Sequence, residues 1–251
     1  MRINKYFTDR GYCSRRAADK LIEARRVKIN GRVAVLGDQI SPDTDIITVD
    51  DKKIAIAATD ENQRVYLMYN KPFGVTCTTD PDTERNIVDA VNHKTRVFPI
   101  GRLDKASTGL IFLTNDGDIV NKILRAQYGH EKEYVVEVGA PFPDSFLKKM
   151  SRGVDIGGYI TKPCSVTRGN AIDEKTFTII LTEGKNRQIR RMTASLGFKV
   201  KRLHRVRIMN VQIGDLADGA WRDIPPQELA TLKKTLATQT AKPRNEIDVE
   251  E

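Results

Sequence analysis

The segment Gly101-Arg102-Leu103-Asp104 runs on into Lys105-Ala106-Ser107-Thr108-Gly109-Leu110-Ile111-Phe112-Leu113-Thr114, and it holds the residues best placed to do chemistry. One carboxylate sits between an arginine and a small-residue turn, just ahead of a strongly apolar strand. Arg102 and Asp104 are two residues apart, so an extended backbone sends both side chains to one face. Such a pair can hold an ionised carboxylate beside a cation at the mouth of a cleft. The plainer reading is a loop aspartate that caps the Ser107-Thr108-Gly109 turn. Other reaction types find little support. His93, His130 and His204 lie far from one another and from the cysteines, with no metal-ligand spacing. Gly184-Lys185-Asn186 lacks the upstream glycine and the Ser/Thr of a phosphate-binding loop, and neither G-x-G-x-x-G nor G-x-S-x-G occurs. No cofactor and no metal are expected. Hydrolysis by a carboxylate pair would need a second Asp or Glu, and spacing marks none. A single carboxylate, helped by the binding energy of a large substrate, remains.

The charge pattern suggests a class of partner. The chain has 251 residues and a net charge of +9, enough length for two unequal domains. Residues 1–32 carry ten Lys/Arg against Asp9, Asp19 and Glu23, and residues 185–207 carry nine Lys/Arg and no acid. A solvated basic face usually has acids interleaved, so the second stretch in particular points to a polyanion. Cys13, Cys77 and Cys164 are odd in number and widely spaced, which fits reduced thiols. No apolar run is long enough for a membrane span and no signal-peptide pattern opens the chain, so a cytoplasmic protein without a membrane partner is expected.

The elements that must position these residues fall into two groups. Ser14 reads as the N-cap of a helix over 15–23, with Ala17, Ala18, Leu21 and Ile22 on its apolar face. Arg15 and Arg16 then occupy a first turn where the helix dipole disfavours cations, a cost that makes sense if they face phosphate. Val27-Lys28-Ile29, an Asn30-Gly31 turn, Val33-Ala34-Val35 and Ile46–Val49 complete a small basic α+β module over residues 1–54. Residues 55–63 lose periodicity and read as a linker. Over 64–236 the expected elements are a strand at 65–69 leading into the Lys71-Pro72-Phe73-Gly74 turn, the Asp104 segment, and an Asn115-Asp116-Gly117 turn. Next comes a helix capped by Asp118, with Ile119, Val120, Ile123 and Leu124 inward. Strands at 134–138, 165–167 and 176–181 come after it, and then a helix near Arg187 carrying Ile189, Met192 and Leu196. Strands and helices do not alternate strictly, which predicts an α+β fold with a mixed, largely antiparallel sheet. Residues 237–251 read as a disordered tail.

These residues carry two resemblances. Arg2-Ile3-Asn4-Lys5-Tyr6, Cys13-Ser14-Arg15-Arg16-Ala17 and Val27-Lys28-Ile29-Asn30-Gly31 resemble the S4 RNA-binding domain. Arg25 departs from that pattern, standing where a glycine is common, so a left-handed turn is not secured there. Four further segments recur in this order in one family. They are Asn70-Lys71-Pro72-Phe73-Gly74, Gly101–Leu110, Lys132-Glu133-Tyr134 and Gly184-Lys185-Asn186-Arg187-Gln188-Ile189-Arg190-Arg191-Met192. The chain resembles the pseudouridine synthases of ribosomal RNA that carry an S4 domain. Val91-Asn92-His93 and His130-Glu131-Lys132-Glu133-Tyr134 make it most similar to the F-type 23S rRNA branch.

The resemblance implies specific roles. Asp104 matches the catalytic aspartate, which acts on the sugar C1′, on the base, or in loss of the 2′ proton. Tyr134 matches the tyrosine that stacks on the uracil, the alternative being a core aromatic. Arg190 matches the arginine that pairs with the aspartate and keeps it ionised and aimed, with Arg187 or Arg191 able to exchange roles with it. Leu203 matches an apolar residue of the base pocket, with core packing as the alternative. Arg102 faces the RNA, while Lys71 shapes its turn or touches phosphate. The implied substrate is 23S rRNA or a large-subunit precursor, with a tRNA anticodon-loop uridine admitted as a second, and a monomer is the default. The rival reading is a non-catalytic RNA-binding factor in ribosome assembly.

Overall fold

A computed structural model describes residues 1–10, 12–54, 64–125, 128–169 and 174–238. The expected linker over 55–63 and the expected tail beyond Thr238 lie outside the described residues. The chain forms two compact units. Of the described residues, one comprises those within Met1–Tyr66, His93–Phe98 and Thr114–Asp118; the other comprises those within Leu67–Asn92, Pro99–Leu113 and from Ile119 to Thr238.

In the first unit, helices α1 (Ile3–Asp9) and α2 (Arg15–Glu23) pack together beside a four-stranded antiparallel sheet in the order β2-β1-β3-β4. Its strands are β1 (Val27–Ile29), β2 (Arg32–Val33), β3 (Ile47–Val49) and β4 (Lys52–Lys53). Ser14 caps α2 as expected, its Oγ accepting the Ala17 N–H at 3.1 Å. Ala18 and Ile22 are buried among Ile3, Phe7, Val27 and Ile47, while Ala17 and Leu21 lie at the margin. Asn30 and Gly31 both take positive φ, 49° and 84°, which is the hairpin turn that matches strand twist. Arg25 also takes a left-handed conformation, φ 57°. The turn forms without the glycine, at a cost of about 1–2 kcal/mol that the packed elements on either side absorb.

The chain continues with β5 (Tyr66–Lys71), α3 (Ile87–Val91), β6 (Phe98–Ile100), β7 (Thr108–Thr114), α4 (Gly117–Leu124) and β8 (Lys132–Val138). After these come α5 (Asp144–Arg152), β9 (Ser165–Arg168), β10 (Thr176–Leu181), α6 (Gln188–Ser195) and β11 (Val200–Ile208). Last are β12 (Val211–Gln212), β13 (Trp221–Asp223) and α7 (Pro226–Thr238). The sheet runs β13-β5-β7-β11-β8-β10-β9, with β12 against β11 and β6 against β7. β7 and β11 are parallel, while β8, β9, β10, β12 and β13 pair antiparallel with their neighbours, so the sheet is mixed and largely antiparallel as expected. Val136, Phe142, Phe146, Phe177, Met192 and Leu203 lie in the core on one face.

Three expectations need correction. Asp116, not Asp118, caps α4: its Oδ1 accepts the Asp118 N–H at 3.0 Å, earlier in the chain than the hydrophobic pattern suggested. Leu124 on that helix is 43% exposed rather than inward. The chain past 236 continues α7 through Thr238, with Leu232 and Leu236 buried. No helix among the described residues is long and apolar enough to cross a membrane.

Candidate active site

The turn after Asp104 fixes its position. The Ser107 N–H donates to the Asp104 carbonyl at 2.9 Å, closing that turn, and β7 begins at Thr108. Gly109 is obligatory in this strand. Its φ is +102°, and a Cβ there would lie 2.3 Å from the Arg205 carbonyl oxygen on β11. The absent side chain lets β7 and β11 pair in parallel, Gly109 opposite Arg205. On the other side, the Gly74 N–H donates to the Lys105 carbonyl at 2.9 Å, which ties the 71–74 turn to the residue after Asp104. Lys71 holds that turn from inside. It is fully buried, and its Nζ donates to the Pro72 and Val75 carbonyls at 2.9 Å each. Of its two expected roles, shaping the turn is the one its position allows, and contact with phosphate is not.

The Asp104 loop, β8, and the β10–α6 connection surround a cavity of about 490 Å³ whose lining includes Arg102, Asp104, Lys132, Tyr134, Glu183, Arg187 and Arg205. Arg190 approaches Asp104 from α6, with Nε 3.9 Å from Oδ2, an ion pair longer than a hydrogen bond. Its Nη2 donates to the Ala106 carbonyl at 2.9 Å and the Ser107 hydroxyl at 3.3 Å, so one guanidinium braces the turn after Asp104 and faces the carboxylate. Its Nε is buried and has no hydrogen-bond partner among the described residues. Burial pulls Arg190 below its ordinary pKa, while the Asp104 charge acts against that pull. Tyr134 lines the cavity and also touches the apolar core, so its ring is a wall shared by both.

The three arginines of the α6 motif separate. Arg190 is the one beside Asp104. Arg191 turns to the Ile156 carbonyl, and Arg187 stays exposed on the cavity rim in a left-handed conformation, φ 50°. Non-glycine residues held there carry strain that often marks function. A network fixes this connection. Glu183 accepts the Tyr159 hydroxyl at 2.7 Å, the Lys162 N–H at 3.0 Å and the Gln188 side-chain N–H at 2.7 Å, and Gln188 accepts the Lys185 N–H at 3.0 Å. Burial alone would push the Glu183 carboxyl up, but these donors together hold it below its ordinary value. Arg102 is exposed at the cavity, and Arg15 and Arg16 are exposed on the first turn of α2, in the other unit. Leu203 departs from its expected place in the base pocket. It is 7% exposed in the apolar core and does not line the cavity.

Some of the cations of the basic stretch 185–207 have partners within the fold. Arg202 pairs with Glu137 at 3.5 Å, and Arg207 pairs with Glu133 at 2.7 Å and Glu131 at 3.1 Å. Arg205 is buried with Nε donating to the Leu110 carbonyl at 2.6 Å. Arg205 and Arg207 are thus engaged inside the fold, while Lys185, Arg187, Lys199, Lys201 and Arg202 stay exposed. Sequence reasoning did not single out Lys132, Glu183, Gln188 or Arg205 as site residues. The first three lie within or beside the motif segments, so nearness to Tyr134 and Arg190 was an available signal; Arg205 needed the strand pairing.

The chain matches the family described as RNA pseudouridylate synthase over residues 65–195 and the S4 domain over residues 1–46. It is 48% identical to the dual-specificity RNA pseudouridine synthase RluF of Shigella flexneri, over 97% of this chain and 83% of that protein. An uncharacterized RNA pseudouridine synthase of Aquifex aeolicus is 35% identical over 94% of this chain and 95% of its own length. A crystal structure of a pseudouridylate synthase superposes with a TM-score of 0.66 at 29% identity, covering 92% of this chain and 99% of that one. A carboxylate braced by an arginine beside a cavity-lining tyrosine, on a chain related over nearly its whole length to such enzymes, makes this protein a member of the RNA pseudouridine synthase family with an S4 domain at its N-terminus.

Proposed function

We propose that this synthase isomerises a specific uridine of 23S rRNA, free or in a large-subunit precursor, and that a tRNA anticodon-loop uridine is a second substrate. The observation that carries the reading is the Arg190–Asp104 pair at 3.9 Å, whose carboxylate lines a cavity that Tyr134 also lines. Asp104 is the catalytic carboxylate, Arg190 holds it in position, and Tyr134 stacks on the uracil. Whether Asp104 engages C1′, the base or the 2′ proton, the N1–C1′ bond breaks, the uracil turns while bound, and C5 bonds to C1′. The product is an isomer of the substrate, so no redox partner or energy source enters the balance.

A stacked or paired uridine hides its glycosidic bond, so the nucleotide must be flipped out at a cost of a few kcal/mol. Residues 1–54 supply part of the offsetting binding energy through Arg15 and Arg16, whose exposure on the first turn of α2 suits phosphate contact. Arg187 and Arg191 complete the expected RNA-binding set only in part, since Arg191 is engaged at Ile156 and Arg187 alone faces the cavity. Arg102, exposed at the cavity mouth, meets the RNA where the nucleotide leaves its stack. Residues 64–236 carry the reaction, and the protein acts as a cytoplasmic monomer. The non-catalytic assembly-factor reading fares worse because Asp104, Tyr134 and Arg190 are all present at one site.

The test is pseudouridine mapping by carbodiimide-adduct primer extension on unmodified 23S rRNA and tRNA transcripts and on subunit precursors. Wild type and Asp104→Asn are run together. A stop produced only by wild type supports the reading and names the nucleotide. No stop on any substrate, with salt-sensitive binding intact, would overturn it in favour of the assembly factor.

A further inference from the structure

Two cations inside the catalytic cavity have no acidic partner among the described residues. Lys132 and Tyr134 are two residues apart on β8, and both line the cavity. Arg205 stands directly opposite Tyr134 on β11, so all three side chains share one face of the sheet. The Arg205 guanidinium carbon lies 5.9 Å from the Tyr134 ring centroid. Arg205 is 4% exposed; its Nε is used by the Leu110 carbonyl, but its Nη2 is buried with no hydrogen-bond partner among the described residues. The Lys132 ammonium donates to the His130 carbonyl at 2.9 Å and has two further N–H groups to give. Buried polar groups in native folds are almost always satisfied, so donors left over in a catalytic cavity call for an acceptor from the substrate.

The nearby carboxylates are engaged elsewhere. Asp104 faces Arg190, and Glu183 holds Tyr159, Lys162 and Gln188. The other charged or titratable groups of the lining are Cys77, Arg102, Lys105, Arg125, Lys185 and Arg187, and His130 stands two residues before Lys132, where burial lowers its pKa and favours the neutral ring. The two carboxylates that line the cavity are thus committed to other partners, and neither is paired with Lys132 or Arg205.

We propose that Lys132 and Arg205 take up the negative charge of the uracil as its glycosidic bond breaks, by donating to a ring carbonyl oxygen. This rests on the synthase reading above. When N1–C1′ breaks, its electron pair leaves with N1 and spreads to O2 and O4, while C1′ becomes electron-poor. The new C5–C1′ bond takes its pair from the uracil ring, the C5 proton is lost, and N1 gains one, so atoms and charge balance. A donor fixed in a water-poor site where charge develops lowers that barrier far more than it would in water. It also explains why the fold tolerates a lysine whose burial, with Arg205 adding to it, pushes its pKa down to about 8.

The experiment compares Lys132→Met and Lys132→Arg with wild type in single-turnover pseudouridine formation on an RNA that wild type modifies. Lys132→Met is expected to lose about 100-fold in rate, with RNA affinity within a few-fold and a native circular dichroism spectrum. Lys132→Arg is expected to recover most of the rate. For wild type, kcat/KM should fall as pH rises above about 8, where the ammonium is lost, and this limb should disappear in Lys132→Arg. Ionisation of the substrate uracil is common to both proteins and cancels in that comparison. A folded Lys132→Met enzyme within 3-fold of wild type would overturn the proposal, as would an arginine variant as slow as the methionine one. Neither result would touch the synthase reading, which fails only if wild type itself forms no pseudouridine.

Discussion

Lys132→Met should make the fold more stable. The ammonium of Lys132 is held at a pKa of about 8 against an ordinary 10.5, chiefly by burial and further by Arg205. A shift of that size corresponds to a cost of about 3 kcal/mol for keeping the charged form in the native state. The side chain is partly exposed at the cavity, and solvent screens a good part of this cost. Methionine also gives up the hydrogen bond to the His130 carbonyl, which is worth about 1 kcal/mol. A net gain of about 1 kcal/mol is expected near pH 7, or roughly 2–4 °C in Tm for a chain of this size. The gain depends on pH in a definite direction. Below pH 8 both native and unfolded wild type carry the charge, and the penalty is fully present. Between about 8 and 10.5 the native state has released its proton and the unfolded state has not, so wild type gains stability and the difference from Lys132→Met closes. Urea unfolding of both proteins at pH 7 and pH 9.5 measures this. A methionine variant less stable than wild type at pH 7, or a difference that widens at pH 9.5, would refute the reasoning.

Gly109→Ala places a Cβ against the Arg205 carbonyl at a φ of +102°, and should cost more than about 3 kcal/mol, seen as a large fall in urea midpoint or as insoluble expression. Glu183→Gln should cost roughly 1–2 kcal/mol and slow turnover by loosening the approach to α6, read from denaturation and single-turnover rates. The Glu183 carboxylate is held below 4.5, so the same stabilisation in wild type should be complete above pH 4.5 and vanish as pH falls through the lower native value. Arg15→Gln with Arg16→Gln should weaken RNA binding about equally for all sequences, and reduce the slope of log affinity against log salt by about 1.5 if both meet phosphate.

Local features were legible in the sequence, and non-local pairings were not. The Ser14 cap and the Asn30-Gly31 turn depend on residues adjacent in the chain, and both formed as read. The Arg25 turn shows the limit of that approach, because the tertiary frame imposed a conformation that the residue itself disfavours. Part of the charge of 185–207 is met inside the fold, which the sequence alone does not show. The acids that answer Arg202 and Arg207 are Glu137, Glu133 and Glu131, which come from β8 or the residue before it and meet them only through the antiparallel pairing of β8 with β11. β11 itself escaped notice for a related reason. Register shifts between Val200 and Arg202 and between Arg205 and Arg207 break the alternation that marks a strand. With that strand unseen, Arg205 could not be placed beside Tyr134. Helix α7 had signals that were passed over: proline at its first position, then Leu232 and Leu236 one turn apart. At the site, the motif segments named Asp104, Tyr134 and Arg190, and the fold set Arg190 rather than Arg187 or Arg191 beside the carboxylate.

The reaction depends above all on Asp104, the carboxylate at the site. Bonding of C5 to C1′ must expel the hydrogen on C5, so release of tritium from RNA labelled at uridine C5 reports the reaction directly. The deciding measurement is that release under single-turnover conditions, for wild type and a folded Asp104→Asn protein, with RNA affinity measured on the same preparations. Tritium release by wild type alone, with affinities within a few-fold of each other, is the predicted result. Sustained release by Asp104→Asn, free of contaminating synthase, would contradict the account.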